Sequence, residues 1–123
     1  MPMGKGRRTS TEVLAHMLHC EARGSEAIYL ALMLNEPEVA PVHAERQWGK
    51  LVRYDLRPFA EMAAYFRFRR AVLLRVLSGL DAKKWSRAIR EAGKARRESV
   101  YMGARGMAMH ENGHLGELEA NSK

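Results

Sequence analysis

The sequence predicts an all-α fold, an antiparallel helical bundle built on three long helices. Three observations carry this. Apolar residues recur at alternating spacings of three and four in three stretches of the 123-residue chain. Prolines and glycines fall at the ends of those stretches. Nothing reads as a strand of alternating polarity, which leaves helix on helix as the way to bury the apolar stripes.

The first helix is expected from about Thr11 to Leu34, opened by a capping box of Thr9 and Glu12. Val13, Met17, Cys20, Gly24, Ala27, Ala31 and Leu34 share one face of it, and Pro37 and Pro41 end it. From Asn35 to about Arg57 the pattern is irregular, a long connection carrying Trp48. A second helix starts near Pro58, a residue suited to a first-turn position, and stops at Gly79. Its stripe is Phe59, Met62, Phe66, Arg69, Leu73, Val76 and Leu80. Arg69 on that stripe must be paired, or must snorkel from the edge of the core, because an unpaired buried charge is very costly.

Residues Ala82 to Ala95 form a short helix or loop around Trp85. The last helix runs from about Arg96 to Ala120, with Val100, Gly103, Met107, His110, His114 and Leu118 on its inward face. Gly103, Gly106, Gly113 and Gly116 each weaken it by roughly 1 kcal/mol relative to alanine, so close packing against a neighbour is expected there.

Composition narrows the function classes. At 46% hydrophobic and 28% charged the chain is an ordinary globular sequence, expected to form a single domain over 1–123 with a basic, flexible tail at 1–8. No apolar run reaches the ~18–20 residues of a membrane span, and no secretory apolar segment follows the basic start. The single cysteine, Cys20, excludes an internal disulfide framework and fits a cytoplasmic protein. The net charge of +7 gathers between Lys83 and Arg105. Such a patch suits nucleic acid or another anion as well as it suits a solvated surface, and no nucleic-acid recognition motif accompanies it.

His110-Glu-Asn-Gly-His114 places two imidazoles one helical turn apart on the inward face, a suitable pair for zinc or nickel. The third ligand must come from another segment. His16 is the candidate, because it borders the apolar face of the first helix, whereas His19 lies about 80° further round and His43 sits in the irregular connection. His19 reads as solvent-exposed or at the rim, His43 as surface, and Cys20 as a buried, inert thiol rather than a ligand. The string also matches the zincin His-Glu-x-x-His motif, with Glu111 as general base. Only nine residues follow His114, and Glu117 and Glu119 come too soon to fold back as a third ligand.

Four segments together resemble the DinB/YfiT-like superfamily of metal-dependent four-helix bundles: Glu12-Val-Leu-Ala-His16-Met-Leu-His-Cys-Glu21, Ala31 to Pro37 with Trp48, Arg69 with the Leu73–Leu77 run and Trp85-Ser-Arg87, and the closing His110-x-x-x-His114. The resemblance implies a divalent metal, zinc or nickel, on His16, His110 and His114, with a position left for water or a thiol. It implies a metal-dependent thiol S-transferase or related hydrolase acting on a small-molecule thiol or electrophilic substrate, with Glu21 and Arg69 as site neighbours. Arg69 would pair with Glu21 across the bundle or with an anionic substrate. Against that pattern the family's first helix is expected to be missing, exposing an apolar flank that a homodimer would cover, or else Met1 lies downstream of the true start. His19 also stands where the family often has aspartate. The alternative is a non-catalytic basic interaction module, an inactive truncated relative, and after it a zinc metalloprotease.

Overall fold

The computed structural model describes residues 9–39 and 45–121; the expected tail at 1–8 and His43 lie outside them. The elements in order are α1 (Ser10–Met33), β1 (Glu38–Val39), α2 (Glu45–Val52), a 3-10 turn (Tyr54–Leu56), α3 (Phe59–Ser78), α4 (Ala82–Trp85), β2 (Ala88–Glu91), β3 (Arg97–Ser99) and α5 (Val100–Asn121).

The three long helices form where the apolar periodicity puts them, and their starts have local causes. Thr9 Oγ1 accepts from Glu12 N at 3.1 Å while Glu12 Oε1 accepts from Thr9 N at 2.9 Å, the reciprocal capping box. Pro58 precedes α3, and Asp81 caps α4 by accepting from Lys84 N at 2.9 Å.

The helix α1 is central and packs against both α3 and α5. Its pairing with α3 advances in the same direction along both: Leu14 and Leu18 cluster with Met62, Glu21 and Ser25 meet Arg69, and Ile28 and Ala31 cluster with Leu73. These two helices are therefore parallel, and the long connection through α2 is the return crossover that a parallel pair needs. Helix α5 is the antiparallel partner, since Gly24 faces Met107 and His16 faces His110.

No strand was expected, yet three short ones form a sheet in the order β1-β2-β3, with β1 parallel to β2 and β2 antiparallel to β3. Pieces of two to four residues are too short for alternation to register. Gly93, at φ +86°, turns the chain between β2 and β3 in a conformation other residues rarely adopt.

The core has two apolar clusters, one around Ile28, Ala31, Leu73 and Val100 and one around Leu14, Leu18 and Met62. Between them along α1 lies a buried polar layer of Glu21 and Ser25. Glu21 is 0% exposed and accepts from Arg69 Nε at 2.5 Å, so Arg69 pairs across the bundle with the carboxylate.

One expectation of packing is corrected. Of the glycines in α5, only Gly103 approaches a neighbour, Ile28; a Cβ on Gly106, Gly113 or Gly116 would meet nothing within 4 Å. The close approach is at Gly24 on α1, whose Cβ would lie 2.5 Å from Met107 Sδ. Half of the basic cluster is engaged within the chain. Arg87 donates to Ala31 O and Leu34 O at the α1 C-terminus, at 2.9 and 2.7 Å, where a cation also favours the helix dipole. Arg90 pairs with Glu38, Lys94 with Glu91, and Arg97 with Glu36. Among the described residues, no helix is long and apolar enough to cross a membrane.

Candidate metal centre

Helical periodicity alone brings the site together. His16 lies one and a half turns into α1, and His110 and His114 lie one turn apart on the face of α5 that crosses it. His110 Nε2 stands 3.4 Å from His16 Nε2 and 2.9 Å from His114 Nε2. One ligand atom from each of the three lies within 4.8 Å of the others. Their burial differs: His114 is 8% exposed, His16 is half-buried, and His110 is exposed, so only His114 of the α5 pair is as inward as its stripe suggests.

The outer nitrogens are held by carboxylates. His16 Nδ1 donates to Glu45 Oε1 at 2.5 Å, and His114 Nδ1 donates to Glu117 Oε1 at 2.6 Å. With the proton committed to Nδ1, each Nε2 presents a lone pair to the centre. Two such lone pairs approach His110 Nε2, and one proton there can serve only one of them, whereas a cation serves all three. At zinc–nitrogen distances of about 2.0–2.1 Å, tetrahedral ligands lie roughly 3.3 Å apart, close to the 3.4 Å between His16 and His110, while the 2.9 Å between His110 and His114 is a hydrogen-bond length that an ion would widen. The donor set and its spacing therefore fit a borderline divalent ion, with carboxylates orienting the imidazoles from behind.

Glu45 and Glu117 were not anticipated in this role. Glu117 carried a usable signal, the i, i+3 spacing to His114, although it is too close in sequence to be a ligand. Glu45 carried none, since it lies 29 residues from His16 in what had read as irregular loop.

Glu111 does not face the imidazoles as a base. Arg70 holds both of its oxygens across to α3, and it belongs to neither group of potential ligands at the centre. That geometry removes the general base a zincin requires. Glu21 and Arg69 meet each other rather than the histidines, one to two turns further along α1.

His19, expected at the rim or exposed, is buried, with its ring 6.4 Å from Trp48 of α2 and its Nε2 without a hydrogen-bond partner among the described residues. Burial pushes its pKa below the ordinary 6.5, only partly opposed by the Glu45 charge. Cys20 is half-buried rather than buried, and its Sγ stands 3.6 Å from His16 Nε2. Beside His16, a cleft of about 540 Å³ opens between α1 and α2, lined by Glu45, His19, Lys50, Arg53 and Tyr54. Arg53 sits at φ 48°, with its guanidinium held by both oxygens of Asp55 at 3.0 and 2.9 Å.

A family model described as the DinB superfamily matches residues 4–118. The solved structure of YfiT from Bacillus subtilis, described as "a probable metal-dependent hydrolase with an unusual four-helix bundle topology", superposes with a TM-score of 0.83. It is 16% identical, over 99% of this chain and 69% of that one, and at that identity the likeness speaks to the fold. No curated protein sequence matches the chain.

Proposed function

We propose that this chain, which belongs to the DinB superfamily, is a metal-dependent enzyme, a thiol S-transferase or related hydrolase, with His16, His110 and His114 as ligands to one zinc or nickel ion. The observation that carries the reading is the convergence of three Nε2 atoms, two of them oriented by carboxylates on the opposite nitrogen. A divalent ion bound there makes a nucleophile of water or of a small thiol near neutral pH.

The chain's own residues supply the rest. Glu45 and Glu117 hold the imidazoles of His16 and His114 in the tautomer that binds a cation. The cleft between α1 and α2 would receive the substrate beside His16 and Glu45, although neither His110 nor His114 lines it. Its Lys50, without an ion pair among the described residues, would meet an anionic group on that substrate. The fold is shared with YfiT, which is described as "a probable metal-dependent hydrolase", and this supports the class of chemistry proposed. A reduced Cys20 fits work in the cytoplasm.

A second copy of the chain would cover the exposed apolar side chains on α3 and α5, among them Phe68 at 68% and Met109 at 62%. Light scattering at the mass of two chains would bear this out, and a monomer across concentrations would remove it.

The functional test is conjugation of a small thiol to 1-chloro-2,4-dinitrobenzene, together with ester hydrolysis. Each is run on chelator-stripped protein before and after adding zinc or nickel, beside His110→Ala. Activity restored by metal in the wild type alone supports the proposal. A folded, metal-loaded protein inert in both assays would favour the non-catalytic module. The cations left to such a module are fewer than the net charge suggests: in the basic cluster, Lys83, Lys84, Arg96 and Arg105 lack ion pairs among the described residues.

A further inference from the structure

The long helices occupy three corners of a square. Helix α1 packs on both α3 and α5, while those two face each other across a gap bridged by the side chains of Arg70 and Glu111. Leu74 follows Arg70 by one turn of α3, and Leu115 follows Glu111 by one turn of α5, so both line the open fourth corner. They are 56% and 51% exposed. We infer that two copies of the chain interlock, α3 of each filling the fourth corner of the other; this rests on the second-copy reading above and assigns its surface.

The occupant is α3 because its apolar residues run nearly all round it. Met62, Arg69 and Leu73 meet α1, yet Tyr65, Phe68, Val72 and Leu74 on its other sides are exposed. A helix apolar on all sides belongs in an interior. One copy covers a single side of α3, and interlocking covers two more, against α3 and α5 of the second copy. Each copy lacks one helix at its corner and has one such helix to offer, so the arrangement closes at two chains.

The area suffices for a stable pair. With 20 residues α3 is about 30 Å long, and a helix presents a strip about 10 Å wide. Two sides of α3 and one side of α5 would be covered in each copy, roughly 900 Å², against about 800 Å² per partner in a standard interface. Charge agrees with the pairing. With α3 antiparallel to α5 of the second copy, as it is within one chain, Arg67 on the outer side of α3 lies towards Glu119 near the end of that α5.

The pairing leaves the metal centre open. Leu115 and His110 stand about 140° apart round α5, so the covered side turns away from the histidines.

Sedimentation velocity of the full chain over a range of concentrations tests this, with circular dichroism to show that each variant is folded. Wild type is expected as a dimer. Leu74→Asp and Leu115→Asp, both at exposed positions of a single copy, are each expected to raise the dissociation constant roughly 100-fold or more, since each puts an unpaired carboxylate into the contact. Leu51→Asp, on α2 and 79% exposed, is expected to dimerise as wild type does. A dimer that either corner variant leaves intact, or one that Leu51→Asp abolishes, would overturn the interlocking and leave a second copy seated elsewhere. A wild type monomeric at every concentration would overturn both.

Discussion

Replacing Arg69 with methionine removes the partner of a carboxylate that has no contact with solvent. Glu21 is 0% exposed; its Oε2 accepts from Arg69 Nε at 2.5 Å, and its Oε1 has no hydrogen bond. The same guanidinium donates to Ser25 Oγ at 3.2 Å. After Arg69→Met the charge stays buried without its hydrogen-bonded partner, with only the more distant Arg70 to offset it, a loss of about 3–5 kcal/mol where such pairs have been broken. That is a large part of the roughly 5–15 kcal/mol by which domains are stable. Adding Glu21→Leu removes the stranded charge, and apolar replacement of a buried pair is about neutral or better, so the double variant should return to within roughly 1 kcal/mol of wild type. Urea unfolding followed by circular dichroism, on all variants in the same metal state, reads both quantities. Arg69→Met within about 1 kcal/mol of wild type would refute the buried pair as described. A double variant as unstable as the single would refute the stranded charge as its cause.

Gly106→Ala and Gly116→Ala should each raise stability by about 1 kcal/mol, because a Cβ there meets nothing within 4 Å; no gain in urea midpoint would mean that these faces are covered. Burial lowers the His19 pKa in the folded protein, so its contribution is intact above the unfolded value of about 6.5 and is lost as pH falls below it. Wild type should therefore lose more stability than His19→Leu between pH 8 and pH 5; equal losses would remove the buried, neutral imidazole. Glu45→Gln and Glu117→Gln should each weaken zinc binding about 10–100-fold without unfolding the protein, and calorimetric affinities matching wild type would deny both carboxylates their orienting role.

Much of the fold is legible because its signals are local. The Thr9–Glu12 box, Pro58 and the apolar periodicity each act within a few residues and set α1 and α3 to within a residue or two, whereas α5 starts at Val100 rather than about Arg96 because the residues before it pair as β3. The approach of His110 and His114 is legible for the same reason, since one turn of helix does it. His16 was accessible because its stripe must face another helix, although which helix was a matter of family pattern. Illegible features depend on partners distant in sequence. Trp48 covers His19 from a helix that had read as loop, and Glu45 reaches His16 from the same helix. Arg70 lies off the apolar stripe, so nothing local marked it as the partner that takes Glu111 away from a base's role. The positive charge around Arg87 stays open in the sequence between a binding and a solvated surface because the carbonyls and carboxylates it meets belong to other segments.

The most direct test of the central claim is calorimetric titration of zinc into chelator-stripped, untagged protein, for wild type and for His16→Ala, His110→Ala and His114→Ala. The account predicts a single ion per chain in the wild type, with affinity falling sharply in every variant while helicity is retained. Wild type that binds no ion, or a His16→Ala protein that binds it as tightly as before, would contradict it.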